Sequence, residues 1–334
     1  MPDLSIPNHF LHAVLENAPS QGKDCQKLLN RANITQKIFQ EPHARVTVEQ
    51  YTNLQAFTMR ELNDEMLGYL DRPLKLGTWS ALCHWLIHAR TLSQALKRYC
   101  LFFSLLENGI KIELHTKANN LTIAFSPWQS DKQLKPYAYE LFMFNLHRLS
   151  CWLTQHNLPI KHARFSYPRP AHSQEYRALF PGAQYSFDNE QCTLELDRKL
   201  LEKTVKQNPE NLAQFLKKPL LNIIINEYNQ KSWVARTRNI LQNDLIQLPN
   251  LVDVANKLDI HPKKLRRRLL DEGIAYSELK SQLRRDVAIR HLTKTNHTIE
   301  RIALLTGFSE TSTFTRAFKR WTGVTPFTYR KNPQ

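Results

Sequence analysis

From Gly307 the chain reads GFSETSTFTRAFKRWTGVTPFTYR to Arg330, an order of residues that few folds accommodate. Phe314, Phe318 and Trp321 recur at i, i+4 and i+7, the spacing of one buried helical stripe. Thr298 can cap a preceding helix whose apolar positions are Ile299, Ile302 and Ala303, and Gly307 tolerates the positive φ that ends a helix in a tight turn. Phe308 is an apolar plug. Ser309 is expected as N-cap of the next helix, with Glu310 at the positive end of its dipole. Gly323 stops that helix, and Thr325-Pro326 opens a short last one near Tyr329 and Arg330. The polar face carries Thr311, Ser312, Thr315 and Arg316, with Lys319 and Arg320 beyond. Taken alone, that face reads equally as solvated surface or as a reading surface.

A similar unit about fifty residues upstream separates the two readings. Asn250 can cap a helix with Leu251, Val254, Ala255 and Leu258 on one side, and a turn follows at Asp259 and Ile260. Pro262 then opens a helix to Asp271 with Leu265, Leu269 and Leu270 expected inward. Its other face is Lys263, Lys264, Arg266, Arg267 and Arg268. Like charges so close repel on an isolated helix, so an anionic partner is implied, and a phosphate backbone fits best. Between the units Tyr276, Leu279, Leu283 and Val287 keep a helical stripe from Tyr276 to about Lys294. That helix is roughly 27 Å long. With the width of the flanking units it could hold two recognition helices about one DNA turn, ~34 Å, apart.

These residues strongly resemble the DNA-binding domain of the AraC/XylS family of bacterial transcription regulators, from about Trp233 to Arg330. The most specific matches are Gly307-Phe308, Phe314, Arg316, Phe318-Lys319-Arg320, Gly323, Thr325-Pro326 and Tyr329-Arg330. The resemblance implies that both recognition helices enter the major groove of double-stranded promoter DNA. It places Lys263, Arg266 and Arg267 near base edges in the first helix, and Thr311, Ser312, Thr315 and Arg316 in the second; Lys264, Arg268 and Lys319 would sit on phosphate. RNA polymerase is implied as a partner, and activation is the commoner mode. The chain departs from the family pattern at Asp259, where Gly is usual, and at His261, where Ser is usual.

Charge is distributed accordingly. The 334 residues carry a net +16. From Lys231 onward 20 Lys+Arg face 9 Asp+Glu, a net +11 in under a third of the chain, as expected for a nucleic-acid module beside a less basic domain. Five scattered cysteines without CxxC favour a reduced, cytoplasmic compartment. There is no basic-then-apolar leader and no run near the ~20 apolar residues of a membrane span. The absence of GxGxxG, Walker and GxSxG motifs argues against a nucleotide enzyme or serine hydrolase.

The first two thirds read as α+β, mostly helical with a small sheet. Helices are expected around Phe10–Leu15, Cys25–Ala32, Val48–Met59, Thr78–Ile87, Thr91–Leu106, Tyr137–Leu153 and Phe215–Tyr228. Alternation at Ile110, Ile112, Leu114 and at Leu121, Ile123, Phe125 across Lys117–Asn120 predicts a hairpin. Ala163, Phe165 and Tyr167 suggest a strand, and Tyr185–Phe187 and Thr193–Leu196 edge strands. Residues 8–205 resemble, more weakly, the arabinose-binding-like N-terminal sensing and dimerisation domain of one AraC subgroup. The matching pieces are Arg72-Pro73 through Gly77, Thr91–Leu96, Phe165–Pro170 and Tyr176–Pro181. The implied organisation is an effector-sensing and dimerisation domain over 1–215, a linker helix region over 216–232 and an all-α domain with two helix-turn-helix units over 233–334.

Other chemistry weighs less. His84 and His88 sit at i, i+4, but no third ligand stands at diagnostic spacing, and no metal or other cofactor is expected. Arg72, Arg90, Arg98 or Arg148 could each hold a ligand carboxylate. Glu195 and Asp197, and Asp64 and Glu65, read as solvated pairs rather than acid–base machinery. The reading is therefore a non-enzymatic, homodimeric regulator answering a small effector whose contact residues the sequence does not give. Two alternatives keep the same DNA module: an N-terminal domain that only oligomerises or docks a protein, or one that is an enzyme.

Overall fold

The computed structural model describes residues 4–129, 133–225 and 232–330. Strand β1 (Ser5–Pro7) leads into α1 (Asn8–Leu15), followed by α2 (Cys25–Arg31), α3 (Gln36–Gln40), β2 (Arg45–Thr47) and α4 (Val48–Leu62). The next helices are α5 (Thr78–Leu86) and α6 (Leu92–Leu106), then the hairpin β3 (Ile110–Lys117) and β4 (Asn120–Pro127), and α7 (Pro136–Thr154). After β5 (Ile160–Arg164), α8 (Tyr176–Leu179), β6 (Gln184–Ser186) and β7 (Cys192–Asp197), the chain is helical: α9 (Pro209–Leu216), α10 (Pro219–Ile224), α11 (Trp233–Asn243), α12 (Leu251–Lys257), α13 (Pro262–Asp271), α14 (Tyr276–Lys294), α15 (Ile299–Leu305), α16 (Thr311–Thr322) and α17 (Pro326–Arg330).

Packing divides the chain into two units. One takes Met1–Phe57 together with Gln230–Gln334, the other Thr58–Asn229. This differs from the 1–215, 216–232, 233–334 division at its N-terminal end. The reason lies in long-range contacts with no local signature. β1 pairs antiparallel with β2, and Ser5 Oγ donates to the buried Asp286 of α14 at 2.5 Å. Arg45 closes the same corner on Ser5 Oγ, at 2.9 Å. The Tyr329 hydroxyl of α17 donates to the Arg45 carbonyl at 2.5 Å, and Lys294 pairs with Glu49.

The second unit is built on a five-stranded sheet ordered β3-β4-β7-β5-β6, antiparallel except for the β5–β6 pair. Alternation puts Ile112 beside Phe125, and Ile123 beside Leu194, which in turn pairs with Ala163. These are buried, as the period of two requires for one covered face. β7 is an interior strand rather than the expected edge, because it bridges the hairpin to β5. β5 ends at Arg164; Phe165 and Tyr167 lie beyond it, still buried. The helix expected over Phe215–Tyr228 is broken between α9 and α10, where Pro219 opens the second helix, and its end lies outside the described residues. α5 stops at Leu86, so His88 is not helical.

Of the two carboxylate pairs, Asp64 and Glu65 are not solvated, whereas Asp197 keeps a side chain 42% exposed. Asp64 is 2% exposed and accepts backbone N–H groups from Met66 at 2.9 Å, Gly68 at 2.7 Å and Leu74 at 2.7 Å. Glu65 takes Gly77 and Trp79 N–H at 2.7 Å each; burial still pushes its pKa above the usual carboxylate range. Together they satisfy the orphan donors of an irregular segment, a structural role. Glu195 pairs with Arg164 at 2.9 Å, and Asp197 accepts from Lys199 N at 2.9 Å.

Candidate nucleic-acid interface

Two helix pairs, α12–α13 and α15–α16, share one turn. In the first, Ile260 N donates to Ala255 O at 3.1 Å and Asp259 N to Asn256 O at 3.1 Å; in the second, Phe308 N donates to Ala303 O and Gly307 N to Leu304 O, each at 2.9 Å. The pivot residue is left-handed in both, Asp259 at φ 56° and Gly307 at φ 74°. Both leading helices are capped. Asn250 and Asp253 form a reciprocal capping box, and Thr298 Oγ1 accepts from Arg301 N at 3.2 Å.

The second helix of each pair divides sharply into two faces. In α13, Leu265 and Leu269 are buried, while Lys263, Lys264, Arg266, Arg267 and Arg268 are all exposed. Leu270, expected inward, is 56% exposed, since it falls off the Leu265–Leu269 stripe. His261 caps this helix itself: its Nδ1 accepts from Lys263 N at 3.2 Å, in place of the serine usual there. In α16, Phe314 and Phe318 are fully buried; Ser312, Arg316 and Lys319 are exposed, Thr311 and Thr315 half-buried. The N-cap is Glu310 rather than Ser309. Glu310 caps no backbone N–H but accepts from the hydroxyls of Ser312 and Thr313 at 3.3 and 3.4 Å.

α14 grips both pairs through Tyr276, read from the sequence as part of the apolar stripe, and through Lys280 and Arg284, which the sequence analysis did not name. The Tyr276 hydroxyl donates to Pro249 O at 2.6 Å, and Lys280 Nζ to Leu248 O at 3.0 Å, fixing the lead-in to α12. Four residues on, Arg284 donates to Thr306 O at 2.7 Å and Gly307 O at 3.0 Å, with its guanidinium 3.5 Å from the centroid of Phe308. Burial pulls the Arg284 guanidinium down to about 10, which leaves it charged at neutral pH. Tyr276, Lys280 and Arg284 recur at i, i+4, i+8, so the signal was a polar stripe beside the apolar one. Opposite this grip, a Cβ on Gly307 would lie 2.7 Å from Leu248 Cγ and 2.8 Å from Leu245 O.

The arginines considered as ligand holders scatter. Arg72 and Arg90 are exposed. Arg98 donates to Trp85 O at 2.9 Å, and Arg148 lies over Phe144 with its carbon 5.2 Å from the ring centroid. His84 and His88 are exposed, and among the described residues no group of three or more His, Cys, Asp and Glu is placed to hold a metal. No described helix is long and apolar enough to cross a membrane.

A C-terminal, all-helical part with a basic exposed helix, following a part built of a sheet and helices, defines a DNA-binding transcription regulator. Residues 22–205 match the family described as the arabinose-binding domain of the AraC transcription regulator, and residues 254–332 match a helix-turn-helix domain. The chain belongs to the AraC family. The ornithine utilization regulator of Pseudomonas aeruginosa is 24% identical over 98% of this chain and 97% of that protein. The porin thermoregulatory protein EnvY of Escherichia coli is 35% identical over 41% of this chain and 52% of that one. The crystal structure of the regulator CdpR from P. aeruginosa is 19% identical over 96% of each chain, with a TM-score of 0.29.

Proposed function

We propose that the α12–α13 and α15–α16 pairs are two helix-turn-helix units, whose second helices enter successive major grooves of one promoter site. Lys263, Arg266 and Arg267 on α13, and Thr311, Ser312, Thr315 and Arg316 on α16, reach base edges; Lys264, Arg268 and Lys319 hold phosphate. The observation that carries this is the shared construction: identical turns, buried apolar stripes, and exposed polar faces, both pairs gripped by α14. The sheet-containing unit responds to a small effector and dimerises, so that effector binding favours one arrangement and alters action through RNA polymerase, with activation as the mode. The division of labour follows the sequence boundaries 1–215, 216–232 and 233–334, with the first 57 residues also bracing the DNA-binding part. A family model described as arabinose-binding and a relative named for ornithine utilization both support a small metabolite as the class of effector.

Alanine at Arg267 or at Arg316 tests the assignment. Each should weaken binding to DNA upstream of the chain's own gene by about 1–3 kcal/mol, if it makes a bidentate base contact. Unchanged affinity in both variants, measured by fluorescence anisotropy, sinks it.

A further inference from the structure

Three carboxylates are buried in the described structure: Asp64, Asp286 and Glu140. A buried carboxylate needs donors or a cationic partner, because leaving it uncompensated in a low-dielectric interior costs several kcal/mol. Asp64 has its three backbone N–H groups. Asp286 has the Ser5 hydroxyl, the Arg285 Nε at 3.1 Å and Arg238 at 3.7 Å.

Glu140 of α7, 4% exposed, is held differently. Its Oε1 accepts from the phenol hydroxyls of Tyr176 at 2.5 Å and Tyr167 at 3.4 Å, and the two hydroxyls are 3.0 Å apart. The nearest basic group is the His172 imidazole at 3.7 Å. Among the described residues no Lys or Arg pairs with Glu140, and Oε2 takes no hydrogen bond. Burial, with the Glu140 charge beside them, pushes both tyrosines far above their ordinary range, so the hydroxyls stay protonated donors.

The two tyrosines that hold this carboxylate belong to an aromatic cluster. Phe165 lies 4.8 Å from Tyr176, Tyr176 stacks on Phe187 at 5.6 Å, and Tyr139 stacks near Tyr167 at 6.3 Å between centroids. Ring faces carry negative quadrupole charge and attract cations. Arg169 sits at the edge of the cluster, its guanidinium carbon 5.0 Å from the Phe187 centroid. A buried carboxylate held by two phenol hydroxyls beside an aromatic cluster, with no described Lys or Arg paired to it, selects positive charge and rejects anions.

We infer that Glu140, with Tyr139, Tyr167, Tyr176 and Phe187, is the subsite for the positively charged nitrogen of a small effector, an alkylammonium or guanidinium metabolite. The inference rests on the effector-responsive reading of this unit and names its chemistry. Glu140 takes the N–H donors on Oε2 while the rings cover the methylenes.

Thermal shift and calorimetry on the full chain test it, with L-ornithine, L-lysine, L-arginine and putrescine as cationic probes. Glutarate, acetamide and L-arabinose, which carry no ammonium group, serve as anionic and neutral comparisons. At least one cationic probe should raise the melting temperature in a concentration-dependent way. Glu140→Gln keeps an oxygen for the tyrosine hydroxyls but removes the charge, and should lower that probe's affinity at least tenfold. Equal binding to wild type and to E140Q overturns the site, as does failure of every cationic probe on wild type. A hit confined to neutral or anionic metabolites overturns the cationic subsite yet leaves the effector reading standing; silence across all classes removes both. If E140Q does not fold, wild-type protein carrying fluorotyrosine decides. The bound probe must shift the Tyr167 and Tyr176 resonances, and unshifted resonances overturn the proposal.

Discussion

The two helix pairs have the same turn, hydrogen bond for hydrogen bond, yet differ in what that turn touches. Asp259 is exposed, so its side chain can leave a left-handed backbone toward water. Gly307 is walled in by Leu245, Leu248 and the Arg284 grip. A departure from the family's glycine is therefore tolerated in the first turn and excluded in the second. The exposed faces differ in the opposite sense: α13 presents five exposed cations, whereas α16 presents three, Arg316, Lys319 and Arg320, among small hydroxyls. The first pair is permissive in its turn and strong in charge; the second is strict in its turn and light in charge.

The largest effect should come from Gly307→Ala. Positive φ costs a residue with a Cβ roughly 1–2 kcal/mol, and overpacking against Leu248 adds about 1–3 kcal/mol. Asp259→Ala, at an open site, should cost under about 1 kcal/mol. Urea denaturation of both variants in the full chain compares the turns directly; equal losses would break the contrast. Next is Arg284→Ala, which removes two charge-assisted hydrogen bonds and a cation–π contact, together about 2–4 kcal/mol. Arg284→Lys should recover only part, because a point charge cannot fork across Thr306 O and Gly307 O. Full recovery by lysine would reduce the grip to simple charge.

The charge contrast is read through salt. Replacing Lys264 and Arg268 together by alanine should lower the slope of log affinity against log salt by about 2, and Lys319→Ala by about 1. A larger slope change at Lys319 would reverse the assignment of roles. The smallest effect concerns the caps. Asn250→Ala breaks a reciprocal box and should cost about 1–2 kcal/mol, against about 1 kcal/mol for Thr298→Ala, which loses one bond. Equal shifts in melting temperature would show that the reciprocal Asp253 contact adds nothing.

Most of the helical part was legible because its determinants are local. Asn250, Thr298, Gly307 and the Phe314–Phe318 stripe each act within a few residues, and the structure places them as their chemistry dictates. Leu270 was read inward along with Leu269 although it falls off the stripe, and Ser309 was read as the N-cap, which falls one residue later, at Glu310, with no side-chain cap. The β3–β4 hairpin was legible from alternation, but the interior place of β7 was not, since pairing with β5 is a tertiary choice. The grip of α14 was missed because Lys280 and Arg284 look solvated until the carbonyls they seek are in place. Asp64 and Glu140 were invisible or misjudged for the same reason. Burial of a charge is decided by residues far along the chain, such as Tyr167 and Tyr176 around Glu140.

The contact between Ser5 and Asp286 has a consequence for biogenesis. The partners are separated by 281 residues, and Tyr329 reaches Arg45 across 284. At ribosomal rates of about 5–20 residues per second, the first strand waits on the order of tens of seconds for the helix that receives its hydroxyl. During that wait the β1–β2 pair has no Asp286 to bind, so the nascent chain carries an unfinished surface through nearly all of its synthesis. The bracing of the DNA-binding part is thus among the last things made, and a ribosome stalled before α14 would release a product without it.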